Sequence, residues 1–444
     1  MELFNLESSD VAIITNEQTY TFSEIPKIEF RSTSKELILI LCQNTIDILA
    51  TYISAMNSKH AVMLINEGIN HELLANIIKT YQPKWIIGLK SHEGYEINEN
   101  QLIRTKEIVT NIHPDLAILL STSGTTGSQK FVRLSYDNIR VNAESIIEYL
   151  KINQNERAVM NLPLSYSYGM SIVNSHLLAG ASILLTDESV MEKSFWELVK
   201  KHKATSIAGV PFTYQMLQRI GFTKMELPYL KTMTQAGGRL NEKLVKHFAE
   251  YAKEQNKRFY IMYGQTEAAP RISYIPYEKV LEKSSTIGIA IPGGKLSIDV
   301  ETEELIYMGA NVMMGYAENL SDLANGYELN GVLYTGDTAI IDEDGYFTIT
   351  GRMKRFIKLF GLRINLDDVE KKLEEELQIP LACTGSDDKL IVAIEQADYV
   401  EKVKEAIEHL YKLHKTAFKV KVIDEIPRFV SGKTDYMKLK ESCL

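Results

Sequence analysis

Short apolar runs separated by stretches of helical spacing constrain this chain more than any other feature. Residues 37–42 read Leu-Ile-Leu-Ile-Leu-Cys and residues 61–65 read Ala-Val-Met-Leu-Ile, and apolar residues recur with a helical period over 44–56 between them. A strand with one wet face alternates apolar and polar side chains. A run that is apolar throughout is covered on both faces, as in a parallel strand between helical layers. The alternation continues with a helical pattern over 71–79, an apolar run over 85–89 and another over 117–120 that leads into a Ser/Thr/Gly-rich loop. Farther on, Leu240, Leu244, Phe248 and Ala252 mark one face of a helix within 239–257, and a strand over 259–263 follows. These patterns predict an α/β body with buried parallel strands.

Toward the C-terminus the pattern changes. Residues 339–341 and 346–349 flank Asp342-Glu-Asp-Gly345, whose Asp-Gly pair supplies hairpin turn chemistry. Beyond Arg352 the order is a helix (Leu366, Val369, Leu373, Leu377), a strand (390–394), a helix (Val403, Ile407, Leu410) and an alternating strand (Phe418, Val420, Val422), a small α+β unit of its own. At 444 residues the chain is too long for one ordinary domain. The expected division is a large N-terminal body, residues 1–353, and a small mobile α+β C-terminal domain, residues 354–444. With no internal repeat and no long Pro/Gly linker, any hinge between them is short.

Several function classes drop out. A formal net charge of −9 without a long basic run lacks the electrostatic footprint of a nucleic-acid binder. Cys42, Cys383 and Cys443 form no CxxC pair, and no His cluster has metal-ligand spacing. The opening MELFNLESSD has acidic residues where a secretory signal has basic ones, and no apolar run is long enough to span a bilayer. The expectation is a cytoplasmic protein with neither a nucleic-acid nor a membrane partner.

Residues 121–128, Ser-Thr-Ser-Gly-Thr-Thr-Gly-Ser, follow an apolar strand and precede Lys130. Glycines let backbone N–H groups converge on an anion, hydroxyls add donors and lysine adds a compact charge, so the loop suits phosphate. It is not the Walker A pattern, and Ser431-Gly-Lys-Thr434 fails that pattern too, because Pro427 stands at the first glycine position. Composition alone leaves a flexible linker equally open. Further fragments follow in order: Leu162-Pro-Leu-Ser-Tyr-Ser-Tyr-Gly169, Ala236-Gly-Gly238, Tyr263-Gly-Gln-Thr-Glu267, Tyr334-Thr-Gly-Asp337, Gly351-Arg352 with Ile357-Lys-x-x-Gly-x-Arg-Ile364, and Pro427-Arg-x-x-Ser-Gly-Lys433. Together with the loop they resemble the adenylate-forming, AMP-binding superfamily of acyl-CoA synthetases, 4-coumarate-CoA ligases, peptide-synthetase adenylation domains and luciferases. The resemblance spans nearly the whole chain. It departs at Gln129 and Phe131, where the family usually has Pro and Gly around the lysine.

The resemblance implies two steps: a carboxylic acid and ATP give acyl-AMP and pyrophosphate, and a thiol then takes the acyl group. On its motifs, Thr122, Ser123, Gly124, Thr125, Thr126, Gly127 and Lys130 grip the β- and γ-phosphates. Thr266 contacts the α-phosphate, and Glu267 holds Mg²⁺, a hard ion suited to carboxylate and phosphate oxygens. Tyr263 stacks on adenine beside Gly238, and Gly237, Arg239 and Gly264 are further ATP-binding positions. Asp337, helped by Arg352, accepts from the ribose hydroxyls, because an ionised carboxylate is an acceptor only. Lys433 bridges the carboxylate and the α-phosphate. Lys354 stands at the hinge position, about which the small domain swings to present either Lys433 or the loop from Lys358 to Arg363, so that one cleft serves both steps. Each position has a plainer reading: Asp337 a turn residue, Glu267 a helix-start acid, Lys433, Lys354 and Arg355 solvated charges.

Between residues 161 and 182 there is no Asp, Glu, Lys or Arg and the one basic side chain is His176, so the Asp that holds a substrate ammonium in amino-acid-activating relatives has no counterpart, which disfavours a free α-amino acid. Tyr166, Tyr168 and Gly169 are the expected acid-pocket residues, with core packing as the alternative for the two tyrosines. CoA and the phosphopantetheine of an acyl carrier protein present the same thiol arm, so either serves as the acceptor. An amine-acceptor ligase and a non-catalytic nucleotide binder remain as alternatives at this level.

Overall fold

The computed structural model describes residues 3–121, 130–353, 355–359, 362–386, 389–411, 416–429 and 432–443, with backbone only at 356, 358–359 and 362–363. The chain divides into two compact units. The larger comprises Met1–Ser284, Ala290–Lys295 and Tyr307–Leu333, and the smaller Ser285–Ile289, Leu296–Ile306 and Tyr334–Leu444.

The larger unit is built on two mixed sheets. Among the described residues one has eight strands, and its centre is the parallel trio Leu116–Ser121, Ala61–Asn66 and Leu37–Cys42, extended by Trp85–Ile87. All six residues of Leu37–Cys42 are buried, which accounts for the unbroken apolar run. The helices Ile46–Asn57 and His71–Tyr81 form where helical spacing placed them, capped by Thr45 and Asn70 through side-chain bonds to backbone N–H groups. The second sheet has nine strands among the described residues, of which Val11–Ile14, Ser182–Leu185, Arg157–Met160, Ser206–Gly209, Thr232–Gln235 and Arg258–Gly264 run parallel in that spatial order. The expected strand over 85–89 stops at Ile87, and the helix expected within 239–257 is Glu242–Glu254.

The smaller unit contains the long hairpin Val332–Ile341 with Phe347–Arg352, most of it here. Asp342 caps its turn by accepting from the N–H groups of Asp344 and Tyr346. Beyond it the hairpin Phe356–Leu359 with Leu362–Asn365 leads into the helix Leu366–Leu377. Strands Leu381–Ser386, Lys389–Ile394 and Phe418–Val422 make a small sheet, with helices Val400–Tyr411 and Tyr436–Cys443. Val369, Leu373, Leu390, Val392, Val403 and Ile407 form its core. Lys354, the expected hinge residue, lies outside the described residues. Its neighbour Arg355 is no solvated charge: the guanidinium pairs with Asp367 and with Glu370 at 2.9 Å, donates to the Cys383 carbonyl at 2.8 Å and lies 3.5 Å above the Tyr436 ring. No helix among the described residues is long and apolar enough to cross a membrane.

Candidate active site

In the larger unit the candidate residues sit where parallel strands end. Leu116–Ser121 runs into the hydroxyl-rich loop, Arg157–Met160 into the segment holding Tyr166, Thr232–Gln235 into Ala236-Gly-Gly238, and Arg258–Gly264 into Gln265, Thr266 and Glu267. Carboxyl ends of parallel strands leave a crevice where connections diverge, the usual place for a ligand in such sheets. Residues 122–129, with the loop positions Thr122 to Gly127, lie outside the described residues.

The turn after Tyr263 is held by packing that tolerates no side chain. A Cβ on Gly264 would run into the Pro270 carbonyl, and Asn311 Nδ2 donates to the carbonyls of Ala268 and Arg271 at 2.6 and 2.8 Å. Thr266 Oγ1 lies 3.3 Å from Ser167 Oγ at the start of the helix Ser167–Leu178. Glu267 accepts at 3.0 Å from the hydroxyl of Tyr316, whose ring lies 3.7 Å beneath Lys130 Nζ. Burial, with the Glu267 charge behind it, raises the Tyr316 hydroxyl well above its ordinary range, so it stays protonated and donates. Among the described residues Lys130 also makes a loose 3.9 Å pairing with the exposed Glu318. The strand Gly315–Ala317, paired with Phe131–Ser135, thus brings together Lys130 and Glu267, the residues expected to meet phosphate and Mg²⁺. Tyr316 lies 49 residues from Glu267, and no sequence signal ties the two.

Glu267 is a single carboxylate, and among the described residues no group of three His, Cys, Asp or Glu side chains could hold a metal alone. A single carboxylate completed by phosphate oxygens is a donor set that suits magnesium, and Glu267 is the residue that would hold it.

Tyr166 points its hydroxyl at Gly237. A Cβ there would collide with that oxygen, and the φ of 85° is one only glycine adopts freely, so the expected acid-pocket tyrosine and the glycine turn are in contact. Gly238 abuts Pro211 and its carbonyl accepts from Gln235 at 2.9 Å, while Arg239 is exposed. Gly169 lets the helix start press on the carbonyls of Leu162 and Pro163. Tyr168 is buried: its hydroxyl is 2.7 Å from Thr234 Oγ1 and its ring lies 4.3 Å from the guanidinium carbon of Arg271. Burial pushes it up to about 12, with Arg271 pulling the other way. Tyr168 packs in the core and also lines a cavity. Arg271, one residue past Pro270, was not singled out by sequence reasoning.

In the smaller unit Asp337 and Arg352 are register partners of the hairpin, with Arg352 Nε 3.4 Å from Asp337 Oδ1. Asp337 is buried and Gly336 bends ahead of it, its N–H donating to Glu304 at 2.7 Å. Lys358 and Arg363 are also backbone register partners, in the next hairpin. Lys433 lies in a turn where Phe429 N–H donates to the Lys433 carbonyl at 2.8 Å, braced by Asp435, whose N–H donates to Pro427 and whose carboxylate accepts from Met437 and Lys438.

Residues 32–317 match the AMP-binding enzyme family. The chain is 28% identical over 346 residues to a Bacillus subtilis protein bearing an acyl-CoA synthetase name, a match covering 73% of this chain and 62% of that one. It is 26% identical over 421 residues to the D-alanine–D-alanyl carrier protein ligase of Staphylococcus epidermidis, covering 88% and 86%. Among solved structures, the O-succinylbenzoate coenzyme A synthetase of Bacillus subtilis with ATP and magnesium ion is similar, with a TM-score of 0.77 at 20% identity over 98% and 97% of the two chains. A match over well more than half its length makes this chain a member of the AMP-binding enzyme family.

Proposed function

We propose that this family member is an ATP-dependent acid–thiol ligase, an AMP-forming enzyme that makes an acyl-adenylate and passes the acyl group to a thiol. The observation that carries the reading is the linked trio Lys130, Tyr316 and Glu267 beside Thr266: a phosphate-binding cation and a magnesium-holding carboxylate fixed on one hydroxyl-bearing ring.

In the first step a carboxylate oxygen of the acid attacks the α-phosphorus of ATP, and the bond to the bridging oxygen of pyrophosphate breaks. Lys130 and the loop before it hold the departing phosphates, Thr266 orients the α-phosphate and Asp337 with Arg352 takes the ribose. Glu267 would hold magnesium, which would supply positive charge at the phosphates. Lys433 meets the charge that develops between carboxylate and phosphate, and fixed cations and donors at such a centre are the main source of rate in phosphoryl-type chemistry. In the second step the thiol sulfur attacks the acyl carbon, AMP leaves and the thiol proton goes to solvent. Lys354 serves as the hinge by which the C-terminal domain exchanges Lys433 for the Lys358–Arg363 hairpin.

The acid is small and is not a free α-amino acid: residues 161–182 supply no carboxylate for an ammonium, and the nearby buried charge is the cation Arg271. The acceptor is CoA or a carrier-protein phosphopantetheine. The breadth of the match to a carrier-protein ligase supports the carrier, and the match to an acyl-CoA synthetase name supports CoA. Pyrophosphate release from ATP and Mg²⁺ across fatty, aryl, hydroxy, dicarboxylic and amino acids, with and without CoA, tests the reading. Release dependent on one acid class supports it, a further rise with CoA favours CoA, and ATP binding without release for any acid overturns it.

A further inference from the structure

Arg271 is 97% buried yet forms no ion pair with any described carboxylate. Its Nη2 donates weakly to Ser171 Oγ at 3.4 Å, its Nε has no partner, and its cation is held on the Tyr168 ring. A guanidinium in that condition leaves part of its hydrogen-bonding capacity and all of its charge unanswered, a costly state for a folded chain unless something else completes it. Arg271 lines a cavity of ≈ 30 Å³ together with Tyr168, Ser171, Ile172, His176 and Thr234. That is room for roughly two waters, or for the two oxygens of one carboxylate.

The neighbouring charges leave Arg271 as the one uncommitted cation among those lining the cavity. His176 Nδ1 donates to the Ile172 carbonyl at 2.9 Å, and burial pushes the imidazole down to about 4, so it is neutral near pH 7. Glu156 and Arg258 also face the cavity, but Glu156 lies 3.3 Å from Lys231 and 3.9 Å from Arg258, which compensates its charge. The cavity is tied to the reaction centre by one helix. Ser167 touches Thr266, and Ser171, four residues on and about 6 Å along the axis, touches Arg271.

We propose that Arg271 is a specificity-determining residue that takes a second carboxylate of the acid substrate, so that the preferred substrate is a short dicarboxylic acid activated at one end. The inference rests on the acid–thiol ligase reading. The reacting carboxylate lies at Thr266 and the distal one reaches down the Ser167–Ser171 face to the guanidinium, a span that a chain of four to six carbons covers. An ammonium in the same place would face an uncompensated cation.

The test compares kcat/KM for acid-dependent pyrophosphate release with dicarboxylic acids of three to seven carbons, their monomethyl esters and the monocarboxylic acids of equal length. The intact enzyme is expected to prefer a diacid to its ester and its monoacid by roughly 10- to 100-fold, the scale of a charge-assisted bidentate contact. In Arg271→Met that preference ratio should collapse toward unity, and Arg271→Lys should recover part of it. The ester comparison needs no variant, so a poorly folded Arg271→Met does not rescue the idea. Release with a monoacid equal to or above that with every diacid overturns the role of Arg271 and leaves the ligase reading standing. No release with any acid removes both.

Discussion

Lys130 and Arg271 of the larger unit and Arg355 of the smaller are held in opposite ways. In the larger unit Lys130 and Arg271 rest on the rings of Tyr316 and Tyr168, and among the described residues the one ion pair either makes is the loose contact of Lys130 with the exposed Glu318 at 3.9 Å. In the smaller unit Arg355 also rests on a ring, that of Tyr436, but two carboxylates and a carbonyl complete it. A ring face steadies a cation without cancelling its charge, whereas a carboxylate cancels it. The contrast separates charges kept ready for an anionic ligand from charges spent on holding a fold.

The sharpest break in this contrast is Lys433, a cation of the smaller unit assigned to chemistry. Lys433→Ala should lower acid-dependent pyrophosphate release by about a thousandfold, the scale of losing a positioned transition-state charge, while thiol transfer from supplied acyl-adenylate largely survives. Equal loss of both steps would make Lys433 structural or shared. Next, Arg355→Met strands Asp367 and Glu370 in a buried setting and should cost about 3–5 kcal/mol in urea unfolding. Arg271→Met, by contrast, removes an unanswered charge and should leave unfolding stability within about 1 kcal/mol of the parent or raise it. A large loss at Arg271 would mean that it, too, is a structural cation.

Smaller effects probe the same division. Asp337→Asn should raise the KM for ATP by roughly tenfold, since an amide replaces one acceptor with a donor facing a diol. Tyr316→Phe keeps the ring under Lys130 but deletes the bond to Glu267, so catalytic efficiency should fall by only about fivefold, and raising the Mg²⁺ concentration should offset part of the loss. An unchanged Mg²⁺ requirement in that variant would show that Tyr316 does not steady the metal-holding carboxylate.

The strands and helices carrying a strong period were legible in the chain: Leu37–Cys42 and Phe418–Val422 fall where their patterns placed them, and Leu366–Leu377 follows its apolar spacing. The strand Leu381–Ser386, Leu-Ala-Cys-Thr-Gly-Ser, was not, because five of its six residues are buried by tertiary neighbours rather than by an apolar alternation. The motif residues Tyr263 to Glu267 stand out in the sequence as candidates, but Tyr316 and Arg271 do not. Their partners lie 49 and about 100 residues away, and a lone tyrosine or arginine in a strand has no local mark. Arg355 likewise reads as a surface charge until Glu370 and Cys383 are brought to it by the fold.

Every role proposed for these residues depends on activation through an adenylate. Incubating the protein with α-labelled ATP, Mg²⁺, its preferred acid and hydroxylamine in place of a thiol tests it most directly. Labelled AMP formed in step with an acyl-hydroxamate and pyrophosphate is the predicted result. Labelled ADP with inorganic phosphate, at any acid concentration, would contradict it.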